Sequence, residues 1–151
     1  MKLTGKLILM TLTFVFTGTL LAQDKQTYPE GTGDVLVIIE GLKNDNGTVQ
    51  IGLFNSEQSW KGKTEKFKGA VISIKDKKAE WKLVAIPYGE YAIRLFHDEN
   101  NDNKLNTNFL GMPKESYGFS NNAKGKFGIP DFDKAKFIIN SENKVVYIKL
   151  N

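Results

Sequence analysis

The chemistry of this chain is concentrated in residues 97–122, HDENNDNKLNTNFLGMPKESYGFSNN, where oxygen-bearing side chains recur at short, regular spacing. The spacing resembles the front half of a Ca²⁺ loop, because carboxylate, amide and carbonyl oxygens are the hard ligands that Ca²⁺ prefers. The candidate ligands, in the order of loop positions one, three, five, seven (through its carbonyl) and nine, are Asp98, Asn100, Asp102, Lys104 and Asn106.

Two positions depart from a complete Ca²⁺ loop. Position six is Asn103 instead of Gly, which is tolerable because Asn visits the left-handed backbone region comparatively often. Position twelve is Phe109, so the closing carboxylate would have to come from Glu99 or Glu115. With two assured carboxylates, a site of this kind would bind at about 10⁻⁴–10⁻³ M. The alternative is an ordinary Asn/Asp-rich turn whose side chains bond their own backbone.

The segment 98–130 is too long to be an idle connection in a compact domain, so it is predicted to be one long ordered loop. The large apolar residues of its second half and just beyond are Phe109, Leu110, Met112, Tyr117, Phe119, Phe127, Ile129 and Phe132. They indicate either a satellite core under the loop or a shallow pocket or partner surface. In the second interpretation Tyr117 and Phe119 line the surface, and Asn121 and Asn122 supply hydrogen-bonding groups.

No catalytic residues are predicted. His97 is the single histidine, and the chain has no nucleophile elbow, no His/Cys grouping for Zn²⁺ and no phosphate-binding glycine loop. We expect His97 to end a strand and to hydrogen-bond a loop carbonyl. Glu99 and Glu115 are the residues that a hydrolase of envelope glycans would use, if they faced a common cleft. The sequence therefore favours a protein that is not an enzyme.

The elements that position these residues are predicted to be strands. Apolar and polar residues alternate in residues 48–55, with Val49, Ile51 and Leu53 inward, and Tyr91, Ile93 and Leu95 share a face opposite Arg94. Seven strands are predicted: one from residue 34 onward, then 48–55, 70–74, 79–85, 91–97, 135–140 and 144–150. Hairpin turns are expected at 43–47 and 75–78. The fold class is all-β, a seven-stranded antiparallel β-sandwich of the immunoglobulin or prealbumin type.

The connection 56–69 is predicted to hold one helical turn. Ser56 has the hydroxyl that an N-cap requires. Trp60 and Phe67 are expected to fold back onto the sandwich.

The N-terminus resembles a cleaved secretory signal. Lys2 and Lys6 precede an apolar stretch, residues 7–16, and small and polar residues lead to Ala22. Four threonines, at positions 11, 13, 17 and 19, interrupt the apolar character of residues 7–22, which argues against a membrane anchor. The predicted divisions are 1–22 signal peptide, 23–33 flexible leader and 34–151 β-sandwich domain. The protein is expected to be exported, periplasmic or secreted, with no membrane span after cleavage.

Composition limits the partners. The chain has no cysteine, which excludes disulfides and a lipid-anchored lipoprotein. Removal of Lys2 and Lys6 leaves 19 basic against 17 acidic residues, a net charge of about +2, and Arg94 is the single arginine. Nucleic-acid binding is not expected, because phosphate and base recognition favour arginine. The expected partner is an envelope protein or a glycan, and the expected state is a monomer.

Four stretches of the chain carry a more specific resemblance. The first precedes the polar segment 97–122, and the other three overlap it. In order they are IPYGEYAI at 86–93, FHDEN at 96–100, KL at 104–105 and GMPKESYGFSN at 111–121.

These motifs resemble the bacterial family called domain of unknown function 2141, over roughly residues 34–150. The resemblance implies an exported protein, mostly bacterial, with a β-sandwich like that of the transthyretin and carboxypeptidase regulatory-domain group. It implies no established activity. The family often has an acidic residue where this chain has Asn106.

Overall fold

The computed structural model describes residues 31–126 and 128–150. The predicted signal peptide and most of the predicted leader lie outside these residues. The strands are β1 Thr32–Glu40, β2 Thr48–Phe54, β3 Lys68–Ser73, β4 Ala79–Pro87, β5 Gly89–Asp98, β6 Tyr117–Phe119, β7 Phe137–Ile139 and β8 Asn143–Lys149. The short helices are α1 Glu57–Trp60 and α2 Phe132–Ala135, and a 3₁₀ turn spans Ser120–Asn122. In the described part of the chain, no helix has the length and apolar character needed to cross a membrane.

The strands form two facing sheets. One has the order β4–β1–β8, and the other has the order β3–β2–β5 with β6 and β7 along the free edge of β5. The predicted β-sandwich is therefore confirmed. It has eight strands in the described residues instead of seven, because β6 is an additional short strand inside the long loop. It is not wholly antiparallel, since β1 pairs with β8 in parallel.

The turn at residues 43–47 is not a hairpin, which corrects the sequence prediction. It carries the chain from β1 in one sheet to β2 in the other, and the turn at 75–78 likewise connects β3 to β4 across the sandwich. Turn residues set the local reversal, but β1 already has β4 and β8 on its two edges, so β2 must join the opposite sheet. Strand β1 also begins at Thr32, within the predicted leader.

The core lies between the sheets and follows the predicted alternation. The inward side chains of the central strands are fully or almost fully buried: Val35, Val37, Ile39, Val49, Ile51, Leu53, Tyr91, Ile93 and Leu95. Because side chains alternate along a strand, Gln50, Gly52 and Phe54 of β2 lie on the outer face of the second sheet, with Arg94 of β5. Part of the candidate site lies on this outer face.

A satellite core covers part of the same outer face. It contains Phe54, Trp60, Ala92, Phe119, Phe132 and Ala135. The predicted helical turn exists, and Ser56 caps it by accepting a hydrogen bond from the backbone N–H of Ser59 at 3.2 Å. The indole N–H of Trp60 donates to the carbonyl of Pro130 at 2.7 Å, which fixes the end of the long loop. Trp60 is buried as predicted, whereas Phe67 remains partly exposed and packs edge-on against Tyr91.

Candidate functional site

Asp98 organises the start of the long loop. It ends β5 with a fully buried side chain. Its Oδ1 accepts the backbone N–H of Asp102 at 3.1 Å, and its Oδ2 accepts the backbone N–H of Asn103 at 2.9 Å. The side-chain amide of Gln50 donates to Oδ2 at 3.2 Å. A buried carboxyl group that accepts three hydrogen bonds is well satisfied, so Asp98 holds the loop in a tight reversal.

Asp102 is the centre of the exposed part of the reversal. Its Oδ1 accepts the backbone N–H of Lys104 at 2.9 Å, and its Oδ2 accepts the side-chain amides of Asn106 at 2.9 Å and Asn100 at 3.1 Å. These hydrogen bonds, that of Asn106 first, lower the pKa of Asp102. The fold thus brings the predicted Ca²⁺ ligands together, and Lys104 joins them through its backbone N–H.

Glu115 holds the other end of this reversal. It is 7% exposed, its Oε1 accepts the backbone N–H of Glu99 at 3.1 Å and its Oε2 accepts that of Asn106 at 2.9 Å. The carboxylate of Glu99 turns instead to the side-chain amide of Asn44, which with Lys43 lowers the pKa of Glu99. In the part of the chain that the structure describes, no group of three or more His, Cys, Asp or Glu side chains is placed to hold a metal ion. Because both oxygens of Glu115 accept backbone N–H groups, this residue stabilises the backbone of the loop.

His97 makes the contact expected from its sequence position. Its Nε2 lies 2.7 Å from the carbonyl oxygen of Asn46, and the ring is fully buried at the end of the core. Because a carbonyl only accepts, Nε2 carries the proton. The hydrogen bond of the imidazole therefore holds the 43–47 turn against β5.

The middle of the loop is a short ordered hairpin, residues 107–113, which we call the tip. Thr107 bridges Pro113, and the backbone N–H of Asn108 donates to the carbonyl of Met112 at 2.8 Å. The side-chain oxygen of Asn108 accepts the backbone N–H groups of Leu110 at 2.9 Å and Met112 at 3.0 Å. The tip presents apolar side chains to solvent: Phe109 is 94% exposed, Leu110 68% and Met112 60%.

The residues predicted to form a partner surface have mainly structural contacts. Phe119 is buried against Trp60, with ring centroids 5.9 Å apart. The side-chain amide of Asn121 donates to the carbonyl of Lys136 at 2.7 Å, and Asn122 accepts the backbone N–H of Lys149 at 2.9 Å. Only Tyr117 combines a half-buried ring with a position at an open surface. Phe119 thus belongs to the satellite core and also borders this surface, whereas the side chains of Asn121 and Asn122 bond the backbone. Their role as a partner surface stays a prediction.

That open surface is a groove of about 390 Å³ on the outer face of the second sheet, which we call the groove. Its floor is formed by β2 and β5, and the long loop and β6 form one side. Its lining includes Gln50, Gly52, Phe54, Lys66, Arg94, Phe96, Asn103, Leu105, Tyr117 and Ile129. Tyr117 and Phe119, which the sequence predicted to line a shallow pocket, both border the groove. Its floor of β2 and β5 was not predicted, and the available signal was Arg94, the single arginine, on the outward face of β5.

Among solved structures, the chain is similar to a mutant form of the pilus-presented adhesin Cpa, at 17% identity and a TM-score of 0.26. The match covers 84% of this chain and 28% of the adhesin, so the chain spans less than a third of that protein's length. A likeness this weak carries no argument. No curated protein matches the chain. The family described as "Uncharacterized protein conserved in bacteria (DUF2141)" matches residues 37–147, and the chain therefore belongs to this family.

Proposed function

We propose that this chain is a non-enzymatic, exported interaction module that binds a partner protein of the cell envelope through the tip of its 98–130 loop. The observation that carries the proposal is the exposure of Phe109, which is 94% accessible and stands beside the exposed Leu110 and Met112. Large apolar side chains that are adjacent in solvent mark interaction sites, and aromatic anchors contribute most of the affinity at such sites.

The order of the loop supports the same proposal. Asn108 closes the tip with its side-chain oxygen, and Asp98 and Glu115 hold the loop below it through buried carboxylates. A segment that is already ordered loses little conformational entropy when a partner binds it. The tip is therefore suited to insert Phe109 into a partner's apolar pocket.

The contacts of the acidic and histidine side chains support a non-enzymatic role. Glu115 is buried, and both of its oxygens accept backbone N–H groups. His97 is buried on a backbone carbonyl. A general acid or base must reach the proton that it transfers, and these two groups are buried and already bonded to the backbone.

Export is part of the proposal and rests on the N-terminal sequence. Residues 1–22 have the charge and apolar pattern of a cleaved signal. Expression of the full chain in a bacterial host, followed by fractionation and mass spectrometry, tests it. A mature N-terminus at Gln23 in the periplasm or medium is expected, and an uncleaved chain in the cytoplasm would contradict it.

The interaction proposal is tested by quantitative capture from an envelope extract. We compare the wild type, a tip variant with Phe109→Ser, Leu110→Ser and Met112→Ser, and a control with Val84→Ser and Tyr147→Ser, two exposed apolar residues of the sandwich. All three should unfold at the same temperature. The wild type and the control should retain a common partner protein that the tip variant loses. If the tip variant retains every partner, the proposal is wrong.

A second proposal is weak Ca²⁺ binding by residues 98–106. It is favoured by one observation: the side-chain oxygens of Asp98 and Asn100 both accept the backbone N–H of Asp102, at 3.1 and 3.2 Å, so these oxygens face a common point. Among the described residues, the ion pairs do not include Asp98 or Asp102, so a cation would displace no salt bridge there. Binding would require Asn100 and Asn106 to release the amide hydrogen bonds that they donate to Asp102, and Asn106 to turn its amide oxygen toward the ion.

Thermal unfolding with and without about 10 mM Ca²⁺ tests this proposal. A dissociation constant of about 1 mM stabilises the folded state by about 1.4 kcal/mol, an upward shift of a few degrees. Asp102→Asn should abolish the shift, and the matched exposed control Asp133→Asn should keep it. No shift in the wild type, or an equal shift in the Asp102 variant, would exclude the site.

A further inference from the structure

Arg94 lies on the floor of the groove with its charge poorly solvated. In the register of β2 and β5 it is opposite Gly52, whose missing side chain leaves room for the ring of Phe54. The guanidinium stacks 4.4 Å from the centroid of that ring and donates one N–H to the carbonyl of Trp60 at 3.2 Å. An arginine carries five N–H donors, so most of them remain for another acceptor. Burial lowers the pKa of Arg94, which indicates that an anion beside it would be stabilising.

The groove is cationic. Lys66 extends over Gly69 and Gly52 on the same face, so a second positive charge joins Arg94. Among the described residues that line the groove, none has an acidic side chain. Of the residues that the structure describes, none places a carboxylate within 4.0 Å of either cation. A half-buried arginine with a lysine beside it and no internal counter-ion fits a ligand that brings its own negative charge.

The remaining lining combines flat aromatic surface with amide groups. The rings of Tyr117 and Phe96 border the groove on adjacent strands. The side-chain amide of Gln50 donates to Asp98 and Asn103, which leaves its carbonyl oxygen and the amide N–H₂ of Asn103 without a protein partner among the described residues. Aromatic faces pack against the C–H face of a pyranose ring, and amides bond its hydroxyl groups. The volume of about 390 Å³ suits a ligand of one or two rings.

We propose that the groove binds an acidic sugar, a uronate residue of a glycan, with its carboxylate paired to Arg94 and Lys66 and its ring packed on Tyr117. This site is separate from the tip: it uses the outer face of the sheet and not Phe109, Leu110 or Met112. The ligand class follows from charge complementarity, since a neutral sugar would leave both cations unpaired, and from the amides, which suit hydroxyl groups.

The test is isothermal titration of the full mature protein with a trigalacturonate, with the neutral galactose trisaccharide as the matched ligand. Wild type should bind the acidic ligand at least about tenfold more tightly, with affinity that falls as salt rises. Lys66→Gln and Arg94→Gln should each weaken binding several-fold. Arg94→Gln also removes the contact with Phe54, so the unfolding temperature of this variant is measured beside its affinity. The conclusion therefore rests mainly on Lys66→Gln, which changes an exposed residue.

Two controls separate this site from the proposed function. Lys63→Gln removes a nearby exposed lysine outside the groove and should leave the affinity unchanged. The tip variant should bind trigalacturonate like the wild type, whatever its effect on protein capture. The proposal is overturned if wild type does not bind trigalacturonate, if both trisaccharides bind equally, or if Lys63→Gln weakens binding as much as Lys66→Gln. It is also overturned if an acidic hexapeptide binds more tightly than the sugar.

Discussion

The buried carboxylate of Glu115 accepts a hydrogen bond from the backbone N–H of Asn106 at 2.9 Å, across nine residues of chain. The tip lies between these two residues, so their contact closes the base of the hairpin that carries it. The other oxygen of the same carboxylate accepts a hydrogen bond from the backbone N–H of Glu99. Glu115 therefore connects the beginning of the loop to both sides of the tip, and the tip depends on it for its orientation.

Substitution of Glu115 should loosen the loop. In Glu115→Gln one acceptor oxygen becomes an amide N–H₂, which faces a backbone donor that then lacks a partner, at a cost of about 1–3 kcal/mol in the free energy of unfolding. Urea unfolding measures this cost, and hydrogen exchange at Glu99 and Asn106 should become faster. The matched control is Glu80→Gln on the exposed face of β4, where we expect a change within about 0.5 kcal/mol. Equal stability of the two variants would refute the role of Glu115.

Gly47 should be intolerant of a side chain. Its φ of +70° lies in the left-handed region, and a Cβ there would collide with the carbonyl of Asp98. Gly47→Ala should therefore cost more than the 1–2 kcal/mol of backbone strain, because the start of the loop must move. Gly62→Ala is the control, with a φ of +73° and no atom within 4 Å of its Cβ position. Thermal unfolding compares the two, and a similar loss in both would contradict the close approach.

Stability should fall in acid through two carboxylates of the loop, the half-buried Glu99 and the exposed Asp102. Hydrogen bonds hold the pKa of Glu99 and that of Asp102 below their ordinary values, with Asn44 the main cause for Glu99 and Asn106 for Asp102. A lowered folded-state pKa contributes stability that is present above the unfolded pKa and is lost as pH falls through the folded value. The free energy of unfolding should therefore decrease as the pH is lowered from about 6 to about 3.

The decrease should be smaller in a Glu99→Gln, Asp102→Asn double variant. NMR titration of the side-chain carboxyl carbons checks the same claim for each residue, and both midpoints should lie below those of short peptides. A double variant with the same acid dependence as the wild type would contradict this source of stability.

The strands and the first half of the loop are predictable from the sequence because their determinants are local. Alternation placed Val49, Ile51 and Leu53 in the core, and the hydroxyl of Ser56 predicted its cap. The spacing of Asp98 and Asp102 predicted a polar reversal, which the hydrogen bonds confirm. Both the Ca²⁺ loop and the Asx-rich turn share this geometry, so the spacing alone could not choose between them.

Long-range pairing decides what the sequence could not predict. Nothing local to residues 43–47 indicates that β1 pairs in parallel with β8, which forces β2 into the other sheet. The aromatic residues of the loop show the same limit. Phe119 is buried because Trp60 lies over it, whereas Phe109 is exposed because no element of the described chain covers it. The groove has the same origin, since it requires Gly52 and Arg94 to be neighbours across two strands.

Site-specific photo-crosslinking in the producing cell tests the central claim most directly, because it reads contacts of the tip in the native compartment. A photoreactive phenylalanine analogue is placed at Phe109, and in a matched chain at Val84, which is also exposed but lies on β4. We predict a discrete crosslinked protein species from position 109 that is absent from position 84. Crosslinks of equal pattern at the two positions, or none from position 109 in a folded and exported chain, would contradict the account.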